Sequence, residues 1–228
     1  MAAIQSAEAR WHFPLALGIS ACYAAACATR LSLRTASAAW NGLLAAYSLY
    51  TAGSLCGPLA GAVAAANGDV SAALCTFDAF QEEHHARLLW LFVLSKVVEL
   101  GDTALLKAKG RAPSLLHVYH HTSVLAISAL IALSPCGASV LFTTMNACVH
   151  TVMYGYYFLA SVGVTVPFAR AVTSLQIAQM VVGATAAFMA AAREPCAMPK
   201  HTALAVLATY ISYFALFVDF YRGRYKRA

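Results

Sequence analysis

Long apolar runs are the feature that most constrains this chain. A membrane-spanning helix needs about 20 apolar residues, and seven runs approach or exceed that length. Apolar residues make up 61% of the 228 residues and charged residues 11%, whereas a soluble domain has about 45–50% and about 25%. This composition excludes a soluble globular domain, a disordered tail and a nucleic-acid-binding module. The predicted spans cover residues 12–29, 38–62, 87–107, 114–133, 138–160, 169–190 and 202–221.

The character of these runs predicts the fold class. A barrel strand alternates polar and apolar side chains over about ten residues, but these runs are apolar on both faces. We therefore expect an all-α, polytopic membrane protein in which residues 1–228 form a single seven-span domain. The first run, preceded by Arg10, also matches the pattern of a cleaved signal peptide. A retained first helix is the simpler interpretation.

The distribution of Lys and Arg predicts the orientation, because cytosolic loops carry an excess of both. Ten such residues fall on the side of the C-terminus and four on the other side. We therefore expect a cytosolic C-terminus and a lumenal N-terminus. Cys75 and Cys196 then lie in the two longest outer loops, where an oxidising lumen favours a disulfide. We expect these two to pair, although Cys136 leaves three pairings open.

The third span carries charged residues, which are costly in a membrane and mark candidate functional sites. Lys96, Glu99, Asp102 and Thr103 are spaced i, i+3, i+6 and i+7, so they share one helical face. Lys96 and Glu99 can form an ion pair. A buried ion pair without any chemistry is the alternative interpretation.

The fourth span carries three histidines on one face near its cytosolic end. His117, His120 and His121 are spaced i, i+3 and i+4. Two chemical interpretations stay open at this point. The imidazoles could bind a metal ion, or one could act as a nucleophile with the others as acid and base.

The fifth span carries Asn146, His150, Tyr154 and Tyr157 in one stripe. Asn146 or a tyrosine hydroxyl could orient His150. A single histidine in a membrane helix can also be a purely structural group with satisfied hydrogen bonds.

The sixth span repeats Thr173, Gln176 and Gln179 at i, i+3 and i+6. Such residues can be polar contacts between helices. However, the polar groups of all four spans fall in or near the cytosolic half of the membrane. Together they predict a bundle or ring of helices around a polar chamber that opens to the cytosol.

Metal chemistry and covalent chemistry make different demands on these histidines. A membrane di-iron oxygenase or desaturase needs several histidine boxes, and no second HxxHH box is present. We therefore predict no metal site and keep a metal-dependent lipid oxygenase as an alternative. A non-catalytic transporter is a further alternative, but the inverted repeats typical of transporters are not evident. A neutral imidazole can attack a thioester, and the resulting acyl-imidazole is activated for a second attack.

The four motifs resemble those of a known family in order and spacing. Lys96–Thr103 is similar to KxxExxDT, His117–His121 to HxxHH, Asn146–Tyr157 to NxxxHxxMYxYY and Thr173–Gln179 to TxxQxxQ. The family is the ELO fatty-acid elongases, the 3-ketoacyl-CoA synthases of the endoplasmic reticulum.

This resemblance implies a reaction and roles for the motif residues. Acyl-CoA would condense with malonyl-CoA to give 3-ketoacyl-CoA, CO₂ and CoA. His120 would be the nucleophile, His117 and His121 would tune it, and His150 would polarise a carbonyl or stabilise an enolate. The other motif residues would shape the chamber and bind the polar arm of CoA: Lys96, Glu99, Asp102, Thr103, Asn146, Tyr154, Tyr157, Gln176 and Gln179.

The resemblance also implies substrates, partners and location. Basic residues at the cytosolic ends could hold CoA phosphates: Lys107, Lys109, Arg111 and Arg170. We expect no cofactor besides the two CoA substrates, and no nucleic acid. Membrane lipid and the ketoacyl-CoA reductase, dehydratase and enoyl reductase of an elongation cycle would be partners, and a homodimer stays open. The sequence 224–228 approximates a dilysine retrieval signal, and the motif details favour saturated or monounsaturated acyl chains.

Overall fold

The computed structural model describes residues 33–76 and 83–225, and every regular element within them is an α-helix. The predicted all-α class is thereby confirmed for these residues. The predicted first span, residues 12–29, lies outside them. The helices are α1 Leu33–Ala65, α2 Val70–Cys75, α3 Glu83–Glu99, α4 Gly101–Ala108, α5 Leu115–Ala132, α6 Gly137–Ser161, α7 Ala169–Ala192 and α8 Lys200–Tyr225.

A side-chain cap sets the start of α5. The Ser114 hydroxyl oxygen accepts a hydrogen bond from the backbone N–H of His117 at 3.2 Å. Such a bond satisfies one of the N–H groups that the first turn of a helix leaves unpaired. Because α5 begins here, the three histidines of the HxxHH motif occupy its first two turns and lie at one end of the helix.

The third predicted span, residues 87–107, is divided at Leu100 into α3 and α4. The N–H of Leu100 bonds to the carbonyl of Val97 at 3.2 Å, and the N–H of Thr103 bonds to that of Leu100 at 3.1 Å. This three-residue spacing tightens the backbone between α3 and α4. Gly101 is a weak helix former, and the Trp40 ring occupies the space that a Cβ at Gly101 would need.

Two pairs of helices pack in antiparallel directions: α1 with α6, and α7 with α8. The Arg34 guanidinium at the start of α1 donates from Nε to the carbonyl of Ser161 at the end of α6, at 2.9 Å. Tyr210 of α8 packs its ring on Gly183 of α7, where a Cβ would clash with it. The largest cluster of buried apolar side chains lies among α5, α6, α7 and α8.

Three of the described helices are long and apolar enough to cross a membrane: α5, α7 and α8. Helices α3 and α6 match predicted spans in position, but they do not combine the length and the apolar character of α5, α7 and α8. The break at Leu100 shortens α3, which also contains Lys96 and Glu99. Polar residues such as Asn146 and His150 lower the hydropathy of α6. The residues that form a polar interior thus weaken the signal for a span.

A disulfide and polar contacts join α2 to the loop between α7 and α8. Cys75 and Cys196 form a disulfide, and the thiol of Cys136 is free and buried. Asp69 caps α2 by accepting from the N–H of Ala72 at 2.9 Å, and Arg193 lies 3.1 Å from its other carboxylate oxygen. The Ala72 N–H, supported by the Arg193 guanidinium, lowers the pKa of the Asp69 carboxyl.

Removal of this disulfide is expected to destabilise the protein. The bond joins cysteines 121 positions apart, and loss of a native disulfide costs about 2–5 kcal/mol. We expect a Cys75→Ser, Cys196→Ser variant to have a lower Tm in detergent, and a reducing agent to lower the Tm of the unmodified protein similarly. The matched control is Cys148→Ser, which removes a free thiol and should keep the response to reductant. An unchanged Tm in the double variant would contradict the prediction.

Candidate functional site

A buried ion pair lies at the centre of the polar site. Lys96 Nζ lies 2.7 Å from Glu99 Oε1, and the two side chains are only 1% and 3% exposed. Lys96 also donates to Oδ1 of Asn146 at 2.8 Å, and its Nζ lies 4.4 Å from the centroid of the Phe92 ring. The pairing expected within α3 is therefore present, and it extends to α6.

His150 has a polar neighbour at each ring nitrogen. Its Nε2 lies 3.2 Å from Nδ2 of Asn146, one turn earlier in α6. Its Nδ1 lies 3.4 Å from Glu99 Oε1. Lys96, Glu99, Asn146 and His150 thus form a closed ring of polar contacts between α3 and α6. We call these four residues the polar ring.

Asp102 is held by two donors from other helices. Its Oδ1 accepts from Trp40 Nε1 and its Oδ2 accepts from the Tyr154 hydroxyl, both at 2.7 Å. Tyr154 was predicted as a site residue, but Trp40 was missed. A signal was available, because a tryptophan within a predicted span needs an acceptor for its indole N–H.

The histidine box lies beside α4 and α8. Thr103 Oγ1 lies 2.9 Å from His117 Nε2, so the KxxExxDT and HxxHH motifs meet at this pair. The ring centroids of His117 and His121 are 4.3 Å apart, and those of His120 and His121 are 5.4 Å apart. The predicted clustering of the three imidazoles is therefore seen in the structure.

Aromatic residues of α8 cover His120. The centroid of its ring lies 4.9 Å from that of Tyr213 and 6.2 Å from that of Phe217. The Tyr213 hydroxyl also lies 2.7 Å from the Ser123 hydroxyl of α5. Sequence reasoning missed both aromatic residues, because an aromatic side chain in an apolar span has no distinguishing pattern.

A cavity of about 30 Å³ has His120 in its wall. A space of this size accommodates a water molecule but not an acyl chain, so the open chamber expected from the sequence is not seen. His120, Asn146 and Gln179 contribute polar groups to its wall, and His150 is not part of that wall. The apolar wall includes Phe92, Val124, Ile131, Phe142 and Met180.

Other predicted site residues lie further from these contacts. Gln176 donates from Nε2 to the Met153 sulfur at 3.2 Å. Tyr157 is 42% exposed, and Thr173 donates to the carbonyl of Ala169. Arg170 donates from Nε to the Tyr221 hydroxyl at 2.7 Å. The remaining basic residues are exposed in or after α4: Lys107, Lys109 and Arg111.

The described ranges, 33–76 and 83–225, contain no group of three or more His, Cys, Asp or Glu side chains arranged to hold a metal ion. The site histidines contact each other and neighbouring hydroxyl, amide, aromatic and carboxylate groups. The site can therefore present imidazole and amide groups to a molecule that enters the cavity.

Comparison with known proteins places these motifs in a family context. The family described as "ELO: GNS1/SUR4 family" matches residues 16–228. The chain is 36% identical over 144 residues to "Very long chain fatty acid elongase 6" of Drosophila melanogaster, which covers 60% of this chain and 46% of that protein.

Two further relatives give a similar result. "Very long chain fatty acid elongase 3" of Homo sapiens is 36% identical over 143 residues, covering 60% of this chain and 53% of the relative. "Fatty acid elongase 2" of Trypanosoma cruzi is 32% identical over 209 residues, covering 86% and 74%. The chain therefore aligns with about half the length of the first two relatives.

Proposed function

The chain belongs to the ELO family, GNS1/SUR4, and we propose from that membership that it elongates fatty acyl chains. The reaction is the condensation of a long-chain acyl-CoA with malonyl-CoA. The products are a 3-ketoacyl-CoA two carbons longer, CO₂ and free CoA. The relatives named as fatty acid elongases support this assignment, and the four intact motifs agree with it.

In the proposed mechanism, His120 carries the acyl group. A nitrogen of its imidazole attacks the thioester carbonyl carbon, the bond from that carbon to sulfur breaks, and the imidazole proton leaves with the thiolate as CoA-SH. Malonyl-CoA then loses CO₂, and the electron pair of the broken bond forms an enolate. The enolate attacks the acyl-imidazole and releases 3-ketoacyl-CoA and His120, which regains a proton from solvent.

The single observation that carries this mechanism is the position of His120. Its imidazole lies at the wall of a cavity that continues along apolar side chains of α5, α6 and α7. Because the cavity has a volume of only about 30 Å³, an acyl chain would enter it only as the apolar side chains of its wall move apart. The carbonyl carbon would then lie beside the imidazole and the chain among apolar residues. Exclusion of water from such a space would protect an acyl-imidazole from hydrolysis.

The other contacts of the motif residues would support His120. Thr103 would orient His117, and His117 and His121 would keep the His120 imidazole in its position within the HxxHH motif. Asp102 would fix α4 through Trp40 and Tyr154. The remaining polar residues would shape the entrance and bind the CoA arm: Tyr157, Gln176, Gln179, Lys107, Lys109, Arg111 and Arg170.

The proposal extends to the cellular setting. The chain would span the endoplasmic reticulum membrane seven times around the site, with its N-terminus lumenal and its C-terminus cytosolic. Its products would pass to a ketoacyl-CoA reductase, a dehydratase and an enoyl reductase. Saturated and monounsaturated acyl chains are the proposed substrates.

The test uses the purified full chain in detergent or liposomes. Saturated, monounsaturated or polyunsaturated acyl-CoA would be supplied with malonyl-CoA labelled at the carbon that is retained. The proposal predicts a labelled 3-ketoacyl-CoA and one CO₂ per product, with the first two substrate classes preferred. Failure to consume malonyl-CoA with any acyl chain would contradict the proposed function, and faster use of polyunsaturated chains would contradict only the preference.

A further inference from the structure

The polar ring imposes one orientation on the side-chain amide of Asn146. The ammonium of Lys96 can only donate hydrogen bonds, so the atom of Asn146 that lies 2.8 Å from it is the amide oxygen. The amide nitrogen must then face His150 at 3.2 Å. The choice of oxygen and nitrogen, usually inferred from the surroundings, is determined here by a neighbour that has no acceptor.

The orientation of Asn146 determines the protonation of His150 in turn. An amide NH₂ can only donate, so Nε2 of His150 must be an unprotonated acceptor. The ring proton of a neutral His150 then lies on Nδ1, the nitrogen 3.4 Å from Glu99 Oε1. Both ring nitrogens of His150 therefore face partners within the polar ring, and neither faces the cavity.

Asn146 retains one donor that the polar ring does not use. Its Nδ2 carries two hydrogens and makes one hydrogen bond within the described part of the chain. Asn146 is also the one member of the polar ring in the cavity wall, where it accompanies His120. A carbonyl group bound in this cavity would therefore share it with both the His120 imidazole and an amide that has an unused donor.

We propose that the Asn146 amide donates a hydrogen bond to the acyl carbonyl oxygen, and that His150 is a positioning residue for that amide. The inference rests on the proposed function and replaces the direct role that the sequence suggested for His150. When His120 adds to the carbonyl carbon, the electron pair of the double bond moves to oxygen. Asn146 stabilises that charge until CoA leaves, and it does so again when the enolate adds. Lys96 and His150 keep the amide oriented before the charge develops, which is how preorganised donors accelerate such steps.

The donor role is tested with Asn146→Asp, which keeps an oxygen for Lys96 but has no N–H. The variant and the unmodified protein are mixed with acyl-CoA alone, and the rate of acyl adduct formation is followed by intact-protein mass spectrometry. We expect a rate roughly 100- to 1000-fold lower with little change in the acyl-CoA concentration that gives half the maximal rate. A rate equal to that of the unmodified protein would overturn the proposal.

A matched control shows whether any loss comes from the site or from the fold. Asn41 is another asparagine with little exposure, and its amide contacts Ser161 Oγ at 3.2 Å, at the far end of α6. Asn41→Asp should keep the adduct rate. If Asn146→Asp and Asn41→Asp slowed adduct formation equally, the effect would be structural and the proposal would be overturned.

The positioning role is tested by comparing His150→Gln with His150→Leu. Glutamine retains an acceptor for the Asn146 N–H and a donor for Glu99, whereas leucine has neither. We expect the glutamine variant to keep most of the adduct rate and the leucine variant to lose it. Equal loss in both variants would mean that the imidazole itself is required, and the proposal would be overturned.

The outcome for the unmodified protein separates this inference from the proposed function. If it elongates acyl-CoA without forming an adduct, the covalent step fails. The same variants are then compared by kcat and KM for condensation, with a fall in kcat expected for Asn146→Asp and a retained kcat for His150→Gln. If it neither forms an adduct nor elongates, both the proposed function and this inference are overturned.

Discussion

A His120→Ala variant is expected to form no acyl adduct and to lose elongation activity by several orders of magnitude. The methyl group of alanine offers no nucleophile at the cavity wall, so the acyl group would have no nitrogen to receive it. The neighbouring imidazole of His121 has its ring centre 5.4 Å from that of His120. We expect that this displacement prevents it from replacing His120, because covalent catalysis requires close alignment with the carbonyl carbon.

The measurement is intact-protein mass spectrometry after incubation with long-chain acyl-CoA, first without and then with malonyl-CoA. The unmodified protein should gain the mass of one acyl group and lose it when malonyl-CoA is added. His201→Ala is a matched control, because His201 is an exposed histidine in the first turn of α8. An adduct on His120→Ala would assign the nucleophile to another residue. Turnover of malonyl-CoA without an adduct on the unmodified protein would indicate a ternary complex.

Contacts within one helix could be predicted from the sequence. The three-residue spacing of Lys96 and Glu99 predicted an ion pair, and the two atoms lie 2.7 Å apart. The four-residue spacing made Asn146 one of two candidate partners for His150, the other being a tyrosine hydroxyl, and Asn146 is in contact with it. Such predictions depend on the 3.6-residue repeat alone, which is the same in every α-helix.

Contacts between helices could not be predicted in the same way. Trp40 bonds to Asp102, and Tyr213 packs beside His120. These contacts depend on the rotation and crossing of whole helices, which the side chains of both partners determine jointly. The break at Leu100 belongs to this class, because the ring of Trp40 packs where Gly101 has no Cβ.

The size of the cavity is also a property of packing rather than of spacing. The stripes of polar residues predicted one shared chamber, and three of their members, His120, Asn146 and Gln179, border the same cavity. The motif spacing did not predict that its volume is about 30 Å³. Side chains such as Phe142 and Met180 fill much of the space between the helices, and their conformations have no signature in a residue pattern.

Lys96→Met is expected to cause the largest loss of stability among substitutions in the polar ring. The substitution would leave the Glu99 carboxylate buried without its cation, and Oε2 of Glu99 already lacks a hydrogen-bond partner in the structure. Removing one partner of a buried ion pair costs about 3–5 kcal/mol, whereas replacing both partners by apolar residues is often neutral. Methionine has a similar length to lysine, so lost packing should contribute little.

The free energy of unfolding in mixed micelles would be measured for Lys96→Met, Glu99→Leu and the double variant. We expect the double variant to be more stable than Lys96→Met, because it contains no unpaired buried charge. Lys200→Met is the matched control, since Lys200 forms an exposed pair with Glu194 at 3.4 Å and such pairs contribute about 0–1 kcal/mol. A loss in Lys96→Met no greater than in Lys200→Met would contradict the prediction. Additive losses in the double variant would show that the two charges act independently, whereas the 2.7 Å contact predicts strong coupling between them.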